Sequence, residues 1–262
     1  MSVVLLDDAI VHYEVLGRGR PVIFLHGWVG SWRYWISSMQ ITSTSFRAYA
    51  LDLWGFGDTA HKKERYGIKR QTKLVRTFLD EMGIGKIALV GHGLGALVAL
   101  DFAASHKEIV DRAMLINCSL DIEKVNPKLF KDSPEKLADW LSNDIAEVKT
   151  ALADAKKTDT DAILASRDET EIPKLFDAVN RQHTPCLLVS GANDELIGPP
   201  TLTQLSVLSD LSKHILLDDA GYFPMFDRSA VFNRLLTDFL ALDSGLAMNQ
   251  LALKEEWKRR VR

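Results

Sequence analysis

Residues Gly91-His92-Gly93-Leu94-Gly95 follow the apolar run at 86–90 and precede a segment rich in alanine and leucine. A strand running into Gly-x-Ser-x-Gly and then a helix holds a serine on a strained turn at the edge of a sheet, where it can attack a carbonyl carbon. The flanking glycines here keep that spacing, but the central residue is Gly93, which has no side chain. The segment therefore predicts the backbone of a nucleophile turn without a nucleophile.

The elements that must position this turn can be read from hydrophobic patterning. Residues 3–6, 10–16, 21–25, 47–51, 87–90 and 113–117 read as strands, and 68–81 and 94–105 as helices, the former amphipathic through Leu74, Val75, Phe78 and Leu79. This alternation predicts an α/β fold, a mostly parallel central sheet flanked by helices. From about residue 119 to 183 the pattern loses its strands and becomes rich in Asp, Glu, Lys and Ala, with helical stretches at 134–142 and 172–180. Strands resume at 185–190 and 215–217, and a helix at 231–242 closes the sheet domain. The expected organisation is a core of 1–118 and 185–242, an inserted helical cap of 119–184, and a helical tail of 243–262.

A net charge of −3 gives no electrostatic case for nucleic acid, and no apolar run is long enough to span a bilayer. The start of the chain lacks a basic, then apolar, leader pattern, so a cytoplasmic location is expected. Cys118 and Cys186 border apolar strands and read as buried, reduced thiols. The tail combines Leu246, Leu251, Leu253 and Trp257 with Lys254, Lys258, Arg259, Arg260 and Arg262. It reads as a solvated helix on its own domain, with a homodimer or other protein contact through 243–262 as the alternative.

The motifs together resemble the α/β-hydrolase superfamily over residues 9–242. They are His26-Gly27-Trp28, Asp52-Leu-Trp-Gly-Phe-Gly57, the turn at 91–95, Gly191-Ala-Asn-Asp194 and Ala220-Gly-Tyr222-Phe-Pro224. The resemblance implies an α/β-hydrolase fold with an inserted helical cap. It also implies an oxyanion hole from the backbone N–H groups of Trp28 and Leu94, donors that do not depend on side-chain identity. Asp194 falls at the family's acid position, and Tyr222 at the position of its histidine. Tyrosine, with an ordinary pKa of about 10, is a poor general base at neutral pH. His214, eight residues upstream of Tyr222, is expected at the far end of the last strand. His26 and His92 read as structural partners of tight turns. Cys118 and Ser119 end near the same sheet edge but lack an evident base.

Trp28, Trp32, Trp54 and Phe56 fall in segments that rim this edge, and Phe223 adjoins Tyr222, which suggests an aromatic-lined pocket under the cap. Trp35 reads as core. No metal-ligand spacing or phosphate loop is present, so no cofactor is expected. The leading expectation is a protein that binds a small apolar or aromatic ligand without serine hydrolysis. The alternatives are an enzyme using non-standard residues, either a hydrolase of esters or related substrates with displaced groups or a lyase or isomerase using Asp194, Tyr222 and the oxyanion hole, and an interaction protein working through the cap or tail.

Overall fold

The computed structural model describes residues 2–142, 145–167, 172–181, 184–242 and 251. Eight strands form one sheet: β1 (Ser2–Leu6), β2 (Ala9–Gly17), β3 (Arg20–Leu25), β4 (Phe46–Leu51), β5 (Ile87–His92), β6 (Val110–Ile116), β7 (Cys186–Gly191) and β8 (Ser212–Leu217). Their spatial order is β1-β2-β4-β3-β5-β6-β7-β8. β1 and β2 pair antiparallel, as do β2 and β4, and every other pairing is parallel. The turn between β1 and β2 places Asp7 and Asp8 at positive φ, the backbone twist that suits a two-residue hairpin.

The central strands are buried on both faces and read as continuous apolar runs, as parallel strands covered by helices must. Ten helices are described: α1 (Ile36–Thr42), α2 (Ile68–Glu81), α3 (Leu94–Ser105), α4 (Pro134–Leu141), α5 (Ala146–Ala151), α6 (Thr160–Ala165), α7 (Ile172–Arg181), α8 (Leu202–Leu205), α9 (Pro224–Asp227) and α10 (Ser229–Ala241). The face of α2 carrying Leu74, Val75, Phe78 and Leu79 is buried, as its periodicity requires. α3 is buried almost throughout and packs on β5 and β6. Gly95 lets it approach the end of β3, where a Cβ would collide with the Leu25 and His26 carbonyls. Phe232, Leu235, Leu236 and Phe239 turn α10 inward.

Between β6 and β7 the described residues form helices α4–α7 and three 3-10 turns, with no strand among them. Of these, α7 packs against α3 in the layer that covers the sheet. No helix among the described residues is long and apolar enough to cross a membrane. The expected tail at 243–262 lies outside the described residues apart from Leu251, which is buried and whose carbonyl accepts from Lys213 Nζ.

Parallel strands bring their C-terminal loops to one edge, and a buried carboxylate organises two of these loops. Asp52, just after β4, accepts from His12 Nδ1 at 2.8 Å, from the Trp32 N–H at 2.8 Å and from the Asp58 N–H at 3.1 Å. His12 lies on β2, so one carboxylate ties the sheet to the loops after β3 and β4. Asp52→Ala leaves these donors buried and unmatched, and is expected to lower unfolding stability by about 3–5 kcal/mol. Urea unfolding followed by circular dichroism measures this, and a change below about 1 kcal/mol would sink the assigned role.

Candidate active site

His26, Asp52, Gly93, Asn117, Asp194 and Tyr222 all follow the ends of strands, from β3 to β8 in chain order. The C-terminal edge of a parallel sheet is where an open α/β fold binds ligands. At Gly93 the chain turns from β5 into α3 with φ 53° and ψ −114°. Glycine reaches this conformation without the Cβ penalty that any other residue meets. The turn is fixed by the Gly93 N–H donating to the Ile116 carbonyl at 3.0 Å and by the Gly95 N–H donating to the His26 carbonyl at 2.9 Å.

The space above Gly93 is occupied. A Cβ on Gly93 would stand 2.6 Å from Tyr222 Oη and about 3.1 Å from the Trp28 ring. A Cβ on Gly27 would meet the same hydroxyl at 2.6 Å. The phenol therefore reaches into a gap between two glycines. Tyr222 Oη is buried and completes no hydrogen bond among the described residues, although the Trp28 backbone N–H lies alongside it. Burial, with the Asp194 charge nearby, pushes its pKa far above the ordinary tyrosine value. Of the donors expected at Trp28 and Leu94, the Trp28 N–H is thus turned toward a protein oxygen.

Tyr222 is held by its backbone. Its carbonyl accepts from His92 Nε2 at 2.7 Å and from Asn117 Nδ2 at 2.9 Å. A carbonyl can only accept, so His92 carries its proton on Nε2 and its Nδ1 accepts the Tyr34 hydroxyl at 3.1 Å. The Tyr34 oxygen in turn accepts the Gly27 N–H. Burial holds the His92 pKa down at about 3, so the ring is neutral and structural. His26 is also committed: Nδ1–H donates to the Gly27 carbonyl at 2.8 Å and Nε2 accepts the Leu53 N–H at 3.0 Å. Asn117, which sequence reasoning missed, has φ 43° and also accepts the Gly191 N–H at 3.0 Å. Its signal was an asparagine directly after an apolar strand, a residue that tolerates this backbone.

Asp194 Oδ1 accepts the N–H groups of Leu196 at 2.8 Å and Ile197 at 3.2 Å, which fold the loop after β7 around it. Oδ2 is buried with no hydrogen-bond partner among the described residues. Burial outweighs the two N–H bonds and, with Asp227 and Glu195 nearby, raises the Asp194 pKa to about 6.

The remaining candidates fall apart from one another. His214 lies within β8 and meets Ser190 Oγ at 3.2 Å, away from Tyr222. Burial pushes the Cys118 thiol far above its ordinary pKa, and Ser119 donates to the Asp121 carbonyl. Phe56 is buried edge-on against His26, and Phe223 packs on Tyr34, His92 and Tyr222. Trp35 is buried against Phe24. Trp32 is half-buried with the Arg33 guanidinium over its ring. Trp54 departs from the expected rim position. Its backbone is bound to Gln71, its ring lies under Arg65, and it lines a surface cleft of about 440 Å³ with Asp7, Asp8 and Lys73.

The segment after β6 is pinned to the core loops. Trp28 Nε1 donates to Ser166 Oγ at 2.8 Å. Buried Asp154 accepts from Ser31 Oγ, Arg33 Nε and Lys157 Nζ, and Lys157 also reaches Asp58. His12, Asp52 and Asp58 converge closely enough to suggest a cation site, but His12 Nδ1 is bound to Asp52 and Asp58 Oδ1 to Lys157 Nζ.

The Asp194 pKa sets a pH dependence with a definite sign. A carboxyl whose folded pKa is raised stabilises the fold fully below its unfolded value of 3.8, and that stability is lost as pH rises through about 6. Asp194→Asn has no such titration. Its stability relative to the native chain is expected to rise by about 2–3 kcal/mol across that window. Thermal unfolding of both proteins on either side of pH 6 measures this, and parallel pH profiles would refute it.

Comparison with known proteins places this geometry in context. The sequence profile described as the alpha/beta hydrolase fold matches residues 20–161. A 2-hydroxy-6-oxo-6-(2'-aminophenyl)hexa-2,4-dienoic acid hydrolase from Metapseudomonas resinovorans is 24% identical over 87% of this chain and 87% of its own length. A soluble epoxide hydrolase from Corynebacterium sp. (strain C12) is 30% identical over 107 residues, 41% of this chain and 37% of that protein. Among solved structures, the enol-lactonase from Burkholderia xenovorans LB400 superposes with a TM-score of 0.79 at 18% identity, covering 92% of this chain and 100% of that one. With a profile match over more than half its length and this sheet order, the chain belongs to the alpha/beta hydrolase fold family.

Proposed function

We propose that this chain is a member of the family that binds a small apolar or aromatic ligand without attacking it, its acid, base and nucleophile positions being filled by Asp194, Tyr222 and Gly93. The observation that carries this reading is the 2.6 Å approach of Tyr222 Oη to the Cβ position of residue 93. A reacting side chain and this phenol cannot share that volume. The substitutions at 93 and 222 therefore act as one steric unit. Other reacting groups offer little support, since Cys118 is a buried thiol with a strongly raised pKa and His26 and His92 have both nitrogens engaged.

Support for a ligand comes from the polar atoms left over. Buried polar groups are rarely unpaired, and Asp194 Oδ2 and Tyr222 Oη are both buried with no hydrogen-bond partner among the described residues. The Trp28 and Phe223 rings lie beside Gly93 and Tyr222 and suit an apolar body. We assign the cap role to the described helical segment before α7, tied down through Ser166, Asp154 and Lys157. The enzyme reading has one observation in its favour, a buried carboxyl with a pKa of about 6 at the acid position.

Three proteins test this proposal with p-nitrophenyl acetate: the native chain, Gly93→Ser, and Gly93→Ser/Tyr222→His. The native chain is expected to show neither an acyl-enzyme burst nor turnover above background. Gly93→Ser alone is expected to stay inactive and lose about 1–3 kcal/mol of stability, because it forces a side chain into positive φ against the phenol. The double variant frees the space and gives Asp194 Oδ2 an imidazole donor, so turnover about a hundredfold or more above the native chain is expected. Saturable turnover by the native chain, with a pH–rate transition near the Asp194 pKa, would overturn the proposal in favour of the enzyme reading.

A further inference from the structure

We infer that the edge of the sheet opposite Gly93 and Tyr222 carries a second binding site, a cationic cleft that takes a small phosphate-type oxyanion. The cleft has a volume of about 190 Å³ and is lined in part by Arg20, Phe46, Lys86, Asp111, Arg112 and Leu240. That is room for an ion or a short phosphorylated compound, below the ~300–1,000 Å³ of drug-sized pockets. The cleft lies where β4, β3, β5 and β6, neighbours in that order, begin. Parallel strands put their N-terminal ends on one edge, so Arg20, Lys86 and Arg112 stand at the starts of three adjacent strands. The cleft stands whatever the site at the other edge does.

A local irregularity brings the charges together. Val110 pairs with Ile87 and Arg112 with Ala88, so the register steps over Asp111. A step of this kind re-aims a side chain at the end of a ladder. Asp111 and Arg112 would point to opposite faces of a regular strand. Here they bond to each other, with Arg112 Nε donating to Asp111 Oδ2 at 2.7 Å. Lys86 Nζ lies 3.4 Å from Asp111 Oδ1. Both guanidinium groups are held in place. Arg112 is buried, lies over the Phe239 ring and donates from Nη1 to the Phe239 carbonyl at 2.8 Å. Arg20 lies over the ring of Phe46, its register partner, and donates from Nη2 to the Leu240 carbonyl at 3.4 Å.

Capping the last turn of α10, which has no basic residue of its own, accounts for part of this cluster. It does not account for the total charge. Among the lining residues, Arg20, Lys86 and Arg112 face the single carboxylate of Asp111, a surplus of two. The end of a helix adds roughly half a negative charge, so about one and a half positive charges are left over. This surplus sits in a chain whose net charge is −3. The cleft at Trp54 is the contrast, since Arg65, Arg70 and Lys73 there meet Asp7, Asp8 and Glu64, three against three. Guanidinium groups fixed by stacking and capping offer N–H donors to an oxyanion at little ordering cost. A dianion answers a surplus of two better than a carboxylate does.

Inorganic phosphate, phenyl phosphate and acetate, titrated into the full chain at an ionic strength held constant with sodium chloride, test this by backbone amide NMR. Both phosphates are expected to saturate with Kd of about a millimolar or tighter, and acetate to bind about tenfold more weakly. The amides of Arg20, Lys86 and Arg112 are expected to shift. Lys86→Gln, at a side chain 60% exposed, and Arg20→Gln are each expected to weaken phosphate about threefold or more. Arg20→Gln also removes a donor to the end of α10, whereas Lys86→Gln does not, so the two separate lost charge from a loosened helix. Arg70→Gln, in the balanced cleft, is expected to leave phosphate binding unchanged. Tighter binding of phenyl phosphate than of the free ion assigns the cleft to a phosphorylated organic ligand, and equal binding assigns it to the ion itself. No saturable phosphate binding below about 20 mM, acetate bound as tightly as phosphate, or phosphate binding indifferent to both Lys86→Gln and Arg20→Gln would each overturn the inference.

Discussion

The carbonyl oxygen of Tyr222 receives two hydrogen bonds, one from the His92 ring on β5 and one from the Asn117 side chain after β6. The site depends on this clamp. It fixes the loop after β8 against the central strands, and from there the phenol extends toward the gap between Gly27 and Gly93. The clamp is itself braced. His92 can donate from Nε2 because its Nδ1 takes the Tyr34 hydroxyl, and Tyr34 is anchored by the Gly27 N–H. The loops after β3, β5, β6 and β8 thus share one chain of neutral hydrogen bonds, satisfied in a place where an unmet donor would be costly.

Charge in the same region is handled differently. Asp52 is buried but fully matched, and it works as a structural tie between β2 and two loops. Asp194 is buried and half matched, with one oxygen folding its own loop and the other without a partner among the described residues. Two carboxylates at the same edge of the sheet therefore differ, one with both oxygens bound within the fold and the other with one oxygen unmatched among the described residues. Burial without a partner is also what raises the Asp194 pKa.

Much of the fold was legible from periodicity alone, because apolar runs and amphipathic spacing follow directly from which faces are covered. The helix at Ile68–Glu81 and the one at Leu94–Ser105 have the bounds their patterning predicts. The α/β class and the family followed from motifs in order along the chain. Position 93 could be named from the glycine spacing and positions 194 and 222 from the family resemblance, but what they do to one another could not. The phenol's reach to the Gly93 turn depends on the direction of a loop that the sequence does not state. Trp54 shows the limit plainly: proximity in the chain to Asp52 suggested the rim, while Gln71 and Arg65, contributed by other segments, draw it to a different cleft. Asn117 was overlooked because its role lies in backbone contacts to segments far along the chain.

The shared volume between Gly93 and Tyr222 also couples two positions that lie far apart in the chain. A Cβ at 93 would stand 2.6 Å from the Tyr222 hydroxyl, so the room open to either residue is set by the other. The turn after β5 is thus read through the loop after β8, and the tolerance of each to change belongs to the pair.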